Sequence, residues 1–230
     1  MHLLALGFVY EIIAQAQTSS GGALTYLQQK FVEGGGFMWP ILICLILGLG
    51  FVFERIWTLS KSSMNTKKFV VKVREAINNG GVKEAIELCQ NTRGAVASVF
   101  HAGLLRSDEG IDAAEKAIMS YGGIEMGFLE RGLVWISLFI SLAPMLGFTG
   151  TVQGMIVAFD DIASANQMSP SIVANGISIA MLTTLFGLVV AMILQFFYNY
   201  LIAKIDRIVG DMEEASVELV DTLYEIQDKK

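Results

Sequence analysis

The most constraining feature of this chain is a pair of membrane-length segments that are rich in small residues and carry no charge. The segments are residues 141–159 and 176–191, and Gly, Ala, Ser and Thr recur throughout both. In lipid no hydrophobic effect draws helices together, so close helix packing relies on small side chains that let backbones touch. The pattern predicts a tightly packed helical membrane assembly. Because neither segment holds an ionisable side chain, a mid-membrane ion carrier has to come from another chain.

Composition supports a membrane protein and argues against several other classes. Of the 230 residues, 53% are hydrophobic, and they concentrate in runs long enough to cross about 30 Å of hydrocarbon as helices. The net charge of −6 argues against nucleic-acid binding. Cys44 lies in an apolar run and Cys89 in a polar region, so no structural disulfide is predicted. The two histidines stand alone, and we expect neither a metal site nor a cofactor.

Three apolar runs organise the chain. We predict an all-α, polytopic membrane protein whose three transmembrane helices extend into a cytoplasmic helical bundle. The predicted parts are an outer-face (periplasmic) segment 1–36, transmembrane helix 1 at 37–59, a cytoplasmic helical region 60–131, transmembrane helix 2 at 132–159, a short periplasmic loop 160–171, transmembrane helix 3 at 172–203 and a cytoplasmic C-terminal helix 204–230. Trp39 and Trp57 lie near the ends of the first span, where amphipathic rings favour the interface.

The N-terminal segment has two interpretations. Residues 1–16 are apolar and end in Ala14-Gln15-Ala16, which is similar to a signal-peptide cleavage site. No Lys or Arg precedes this apolar stretch, so we favour an uncleaved segment at the outer face, such as an amphipathic helix lying on the membrane. A removed signal peptide is the alternative.

The positions of Lys and Arg predict the orientation. Ten of them lie between the first and second spans and four follow the third, whereas the 160–171 loop has none and the N-terminal segment has only Lys30. Cytoplasmic loops carry an excess of Lys and Arg, so the N-terminus is predicted outside and the C-terminus in the cytoplasm.

The cytoplasmic parts read as helices. Residues 64–106 read as short helices broken at 78–81 and near Gly94, and 111–131 continue with helical periodicity into the second span, with no Pro to stop them. After the third span an apolar stripe recurs at three- and four-residue steps, which indicates an amphipathic helix. Its members are Ile205, Ile208, Met212, Ala215, Leu219 and Ile226. We expect the acidic residues on the other face to be solvated.

Small residues line one face of each of the last two spans. On the second span they are Ala143, Gly147, Gly150, Thr151, Gly154 and Ala158, and on the third Gly176, Ala180, Thr183, Thr184, Gly187 and Ala191. Matching small faces predict close packing within a subunit, between subunits or around a ligand helix. A membrane threonine either bonds back to the i−4 carbonyl or faces a cavity, and both readings stay open for Thr149, Thr151, Thr183 and Thr184.

Residues 142–155 resemble the second-span signature of the MotA/TolQ/ExbB proton-channel family, A-P-x-x-G-L-x-G-T-V-x-G, including Pro144. Residues 176–188 resemble its third-span signature, G-I-x-x-A-L-x-x-T-x-x-G-L, and Glu54-Arg55 matches its E-R pair. MotA-type stators have four spans, so the three-span ExbB and TolQ branch is the more similar one. The resemblance covers roughly residues 33–210.

The resemblance implies a bacterial inner-membrane homopentamer enclosing two transmembrane helices of an ExbD- or TolR-like partner, whose single aspartate relays protons. The family's pore-lining threonines fall on Thr151 and Thr184, with Thr149 and Thr183 as further candidates. The best-known members have Glu where this chain has Ile179. It implies an ExbB-like motor subunit that energises a TonB-like transducer for outer-membrane transport.

Other functions remain open from the residues alone. One is a TolQ-like role in envelope maintenance, and another is a non-conducting membrane scaffold. An enzyme is not predicted, because no nucleophile–base pair or phosphate loop is present. Glu54 and Arg55 form either an interfacial anchor in contact with lipids or a contact to a subunit or partner. Asp160 and Asp161 form a water-facing loop or a proton entrance.

Overall fold

The computed structural model describes residues 22–62, 65–165 and 170–227, and these are almost wholly helical. The helices are α1 (Ala23–Glu33), α2 (Met38–Ser62), α3 (Thr66–Asn91), α4 (Ala95–Leu105), a 3-10 turn (Ser107–Glu109), α5 (Ile111–Glu130), α6 (Leu133–Ala165) and α7 (Pro170–Gln227). Three helical stretches are long and apolar enough to cross a membrane. The all-α class with three transmembrane helices is therefore confirmed.

The chain forms two compact units, and α2, α6 and α7 each contribute residues to both. One unit combines the described residues up to Leu49 with Leu138–Gln195. Its core is made by Ile41 of α2, Ala143 of α6 and Leu194 of α7, all of them buried. Gly48 lies directly against Leu194, where an added Cβ would meet the Leu194 Cδ1 at 2.7 Å, so α2 packs closely on α7 within this unit.

The second unit combines Gly50–Ser137 with the described part of Phe196–Lys230. Phe100 of α4 is fully buried, and its ring centroid lies 5.8 Å from that of Phe69 on α3. Gly103 of α4 lies against Ile118 of α5, and Arg74 of α3 pairs with Glu225 of α7 at 3.1 Å. Full burial of a side chain of this size stabilises a fold by about 1.5–3 kcal/mol, so these apolar contacts dominate over the exposed ion pair.

α7 is a single helix of 58 residues, almost three times what a bilayer needs. The sequence divides it into a third span and a C-terminal helix, but no Pro or Gly break separates the two, because Gly210 is accommodated within the helix. The predicted stripe Ile205, Ile208, Met212, Ala215 and Leu219 is buried, which confirms its amphipathic character. The side chain of Ile226 lies outside the described residues. The acidic face is mainly exposed, as expected.

Glycines with positive φ mark the breaks between helices. Gly81 (φ 78) interrupts α3 and Gly94 (φ 149) precedes α4, as the sequence predicted for both places. The prediction that 111–131 runs on into the second span is wrong in one detail. α5 ends at Glu130 and α6 begins at Leu133, because Gly132 adopts φ 90, a conformation that needs no proline and that side chains with a Cβ disfavour.

Two predictions fall outside the described residues. The signal-like stretch 1–16 is one, and residues 166–169 of the predicted loop 160–171 are the other. The remaining residues of that predicted loop are helical, since α6 continues to Ala165 and α7 begins at Pro170. The exact limits of each transmembrane segment remain predictions from the sequence.

Candidate functional site

The candidate site is a seam of small residues where α6 and α7 touch, and we call it the glycine seam. Its members are Ala143, Gly147, Gly150, Gly154 and Ala158 on α6, and Gly176, Ala180, Thr183 and Gly187 on α7. The two helices run antiparallel along it, because Ala143 meets Gly187 at one end and Ala158 meets Gly176 at the other. The predicted packing role of these small residues therefore applies between two helices of the same chain.

The seam brings backbone against backbone. An added Cβ would lie 2.6 Å from the Ala143 carbonyl oxygen if placed on Gly187, and 2.9 Å from the Thr183 carbonyl oxygen if placed on Gly147. On Gly154 it would lie 3.1 Å from the Gly176 carbonyl oxygen. Any larger residue at these positions would force the helices apart, since backbone atoms cannot rotate away as a side chain can.

Pro144 follows the first seam residue inside α6, and its side chain is half-buried. Proline has no N–H, so one carbonyl in the preceding turn lacks its helical donor. Membrane helices tolerate such a proline where neighbouring groups satisfy the backbone. Pro144 therefore lies at the edge of the seam, next to Ala143, and does not itself form the backbone contact.

The structure distinguishes the four candidate threonines. Thr183 is buried in the seam and donates to the Ala180 carbonyl at 2.9 Å. Thr149 is exposed and donates to the Met145 carbonyl at 2.8 Å. Thr151 is partly exposed and donates to the Phe148 carbonyl at 2.6 Å. Thr184 is half-buried, with its hydroxyl 3.4 Å from both the Gly147 and the Ala180 carbonyl oxygens.

Thr151 and Thr184 share one flank of the seam. Each residue turns a helix by 100°, so Thr151 lies one turn after Gly147 and Thr184 one turn after Ala180, each slightly to one side of the contact line. Because the helices are antiparallel, both threonines lie on the same side of the helix pair. Thr184 also bridges the pair, because its hydroxyl approaches a carbonyl of each helix. A half-buried hydroxyl with long, shared bonds is free to reorient toward a group that docks on this flank.

Ile179 lies on the opposite flank. A cavity of about 420 Å³ opens there, and its wall includes Gln153, Ile179, Thr183, Pro40 and the glycines that precede α2. Gly35 lies beside Ile179, since a Cβ on Gly35 would lie 3.8 Å from the Ile179 Cγ2. Ile179 is thus part of a mainly apolar wall beside the entry to α2, away from Thr151 and Thr184.

The Glu54–Arg55 pair belongs to the second unit. Arg55 Nε donates to Glu54 Oε2 at 2.9 Å, and Thr58 Oγ1 donates to Glu54 Oε1 at 3.1 Å. Arg55 is only 9% exposed and lies beneath Gly132, where a Cβ would meet its Nε at 2.9 Å. Sequence reasoning missed this contact, because nothing in the local pattern connects α2 to the turn between α5 and α6.

The arrangement offers hydroxyls and backbone dipoles but no acid or base. Neither residues 133–159 nor 173–203 include Asp, Glu, Lys, Arg or His. Within the described ranges, no group of three or more His, Cys, Asp or Glu side chains gathers as metal ligands would. Cys44 and Cys89 are free and buried, and burial raises the pKa of the Cys89 thiol to about 12, so it stays protonated. The seam can position a titratable group, but it supplies none.

The comparisons with known proteins agree with this geometry. The profile described as the MotA/TolQ/ExbB proton channel family matches residues 91–214, which include the seam. The chain is 31% identical to an ExbB homolog, a biopolymer transport protein of Methanothermobacter thermautotrophicus, over 80% of this chain and 66% of that protein. It is 26% identical to a biopolymer transport protein of the ExbB type from Vibrio cholerae, over 72% of this chain and 74% of that protein. It is also 32% identical to the Tol-Pal system protein TolQ of Haemophilus influenzae, over 38% of each chain.

The close approach at Gly187 makes a testable prediction. Gly187→Ala places a methyl group against the Ala143 carbonyl, and overpacking of this kind costs about 1–3 kcal/mol, so the thermal midpoint of the purified protein in detergent should fall. Gly50→Ala is the matched control, because Gly50 lies in α2 with nothing within 4 Å of an added Cβ. Equal thermal midpoints for Gly187→Ala and Gly50→Ala would contradict the close backbone packing at Gly187.

Proposed function

The chain belongs to the MotA/TolQ/ExbB proton channel family, and we propose that it is the ExbB-like subunit of a motor driven by the proton-motive force. In this proposal the motor lies in the bacterial inner membrane and energises a TonB-type transducer for outer-membrane transport. The names of the archaeal and Vibrio cholerae relatives, both biopolymer transport proteins, favour this branch.

One observation carries the proposal: two spans pack backbone to backbone and contain no Asp, Glu, Lys, Arg or His between residues 133 and 159 or between 173 and 203. Proton transfer at mid-membrane needs a titratable group, and an isolated threonine hydroxyl does not ionise near neutral pH. The relay therefore depends on a second protein. An ExbD- or TolR-type partner with one transmembrane aspartate supplies the carboxylate, and five copies of this chain surround its helices.

Thr151 and Thr184 act in this proposal by orienting the partner's carboxylate and its water. Their hydroxyls share one flank of the seam. The Thr184 hydroxyl is only weakly held by two carbonyls at 3.4 Å, and the Thr151 hydroxyl would exchange its 2.6 Å bond to the Phe148 carbonyl for the partner's carboxylate. Thr183, buried inside the seam, serves packing. Ile179, on the far flank, takes no part in the relay, which is consistent with the absence of a carboxylate there.

The available energy is sufficient for mechanical work. Moving one charge through a potential of 100 mV releases about 2.3 kcal/mol, so several protons suffice to reorganise a helix interface. A rigid seam suits such a machine, because the chain can then act as a fixed wall against which the enclosed helices rotate or rearrange.

The orientation is also part of the proposal, and it yields a prediction. The Lys and Arg distribution favours a periplasmic N-terminus and a cytoplasmic C-terminus. In a variant without Cys44 and Cys89, Gln167→Cys should react with a membrane-impermeant thiol reagent in intact cells, whereas Asn91→Cys should react only after lysis. Labelling of Asn91→Cys in intact cells would contradict the proposed orientation.

The threonines provide the mechanistic prediction. Thr151→Val/Thr184→Val keeps the side-chain shape but removes both hydroxyls, so the complex should assemble while proton flux through it and transport-linked growth are lost. Thr222→Val is the control, because the Thr222 hydroxyl also donates to a carbonyl of its own helix, that of Glu218, but lies outside the predicted spans. Full proton flux in the double variant would show that the relay runs elsewhere.

A TolQ-like role in envelope maintenance is the second candidate, favoured by the 32% identity to the Haemophilus influenzae TolQ. Identification of the protein that co-purifies with the chain separates the two, since the two roles require different periplasmic partners. A scaffold without ion flow is tested in the same preparation, because liposomes that contain both proteins would then remain impermeable to protons.

A further inference from the structure

Two lysines lie where the apolar runs of the first and third spans end. Lys204 Nζ, on α7, donates to the Ser60 Oγ of α2 at 2.8 Å, and Lys61 is the next residue of α2. Lys61 follows the apolar run of α2, and Lys204 follows that of α7. The hydrogen bond fixes these two chain positions at the same level. Both ammonium groups therefore lie where apolar helix surface gives way to polar surface.

Neither ammonium is neutralised within the part of the chain that the structure describes. The ion pairs found there involve other basic groups, namely Lys30, Arg55, Arg74 and Arg106. The nearby carboxylate of Glu54 already accepts hydrogen bonds from Arg55 and Thr58. Asp206 is two residues beyond Lys204, about 200° around the helix, and so points to another side. Two uncompensated positive charges on adjoining parts of α2 and α7 favour the binding of an anion.

The surface beside the lysines is apolar. Trp57 is 66% exposed, and Lys61 Nζ lies 3.8 Å from the centroid of its ring. Phe53, one turn earlier on α2, is also 66% exposed. Exposed tryptophan is typical of the level at which lipid headgroups meet acyl chains. Phe53 and Trp57 thus form an exposed apolar surface on α2 that ends at the Lys61 ammonium.

We propose that Lys61 and Lys204 bind the phosphate of an anionic membrane lipid, whose acyl chain lies along Phe53 and Trp57. Each ammonium has donors left over, since Lys carries three and the observed contact uses one on Lys204. The Ser60 hydroxyl donates to the Ile56 carbonyl at 2.6 Å while it accepts from Lys204, so it positions the Lys204 ammonium and leaves the phosphate to the lysines. A lipid fits this surface better than free phosphate does, because only a lipid would also cover the two exposed aromatic rings. A bound lipid would bridge α2 and α7 beyond their direct hydrogen bond.

Lipid titration of the full chain tests the proposal. The purified protein in detergent is titrated with phosphatidylglycerol or with zwitterionic phosphatidylcholine, and bound lipid is measured by native mass spectrometry. We expect phosphatidylglycerol to bind more tightly. Lys61→Gln/Lys204→Gln should weaken this binding roughly thirtyfold, because each lysine near an anionic surface contributes about 1 kcal/mol and 1.4 kcal/mol is a factor of ten.

Three further measurements separate a specific lipid site from a general effect of charge and from a site for free phosphate. Lys83→Gln/Lys116→Gln removes the same charge from exposed positions elsewhere and should leave binding unchanged. Lys61→Arg/Lys204→Arg retains the charge and should retain the preference for phosphatidylglycerol. Equal loss of binding in both Gln double variants, or equal binding of the two lipids to the unaltered chain, would overturn the site. Release of the lipid by millimolar inorganic phosphate would assign the site to free phosphate and overturn the lipid proposal.

Discussion

The α6 and α7 helices touch through bare backbone, and this contact determines which side chains the two spans can carry along their shared face. At Gly147, Gly154 and Gly187 the neighbouring helix comes so close that even a methyl group would meet a carbonyl oxygen at about 3 Å or less. Lipid provides no hydrophobic drive for such an association, so the attraction comes from dispersion contacts that only small residues permit. The same requirement removes long and charged side chains from the seam. Tight packing and the absence of titratable groups therefore have a common cause.

This common cause shapes the proposed division of labour between two proteins. A seam that cannot hold a carboxylate still presents hydroxyls at its edge, and Thr184 does so while contacting both helices. The two spans would then form a stationary surface without acidic or basic side chains, on which the hydroxyls of Thr151 and Thr184 are exposed. The proton-carrying group would belong to the partner. Ile179 agrees with this view, because the cavity it lines lies on the flank opposite Thr151 and Thr184.

Much of this could be predicted from the sequence, for reasons that differ between elements. The spans follow from uninterrupted apolar runs, and the buried stripe from Ile205 to Leu219 follows from helical periodicity. The breaks at Gly81 and Gly94 follow from local glycine patterns. The turn at Gly132 was not foreseen, because a lone glycine is also accommodated inside a helix, as Gly210 is in α7, and only the structure shows that Gly132 takes φ 90. Likewise, periodicity marks Thr183 and Thr184 as neighbours on one face, but only the register of α6 on α7 buries one and leaves the other at the edge.

Proton flux in liposomes tests the central claim most directly, namely that the titratable group of the relay belongs to the partner. The flux is compared for this chain alone, for the chain with its partner, and for the chain with a partner whose transmembrane aspartate is changed to asparagine. We expect potential-driven proton flux only for the chain together with its unaltered partner. Flux through this chain alone, at a rate similar to that of the complex, would contradict it.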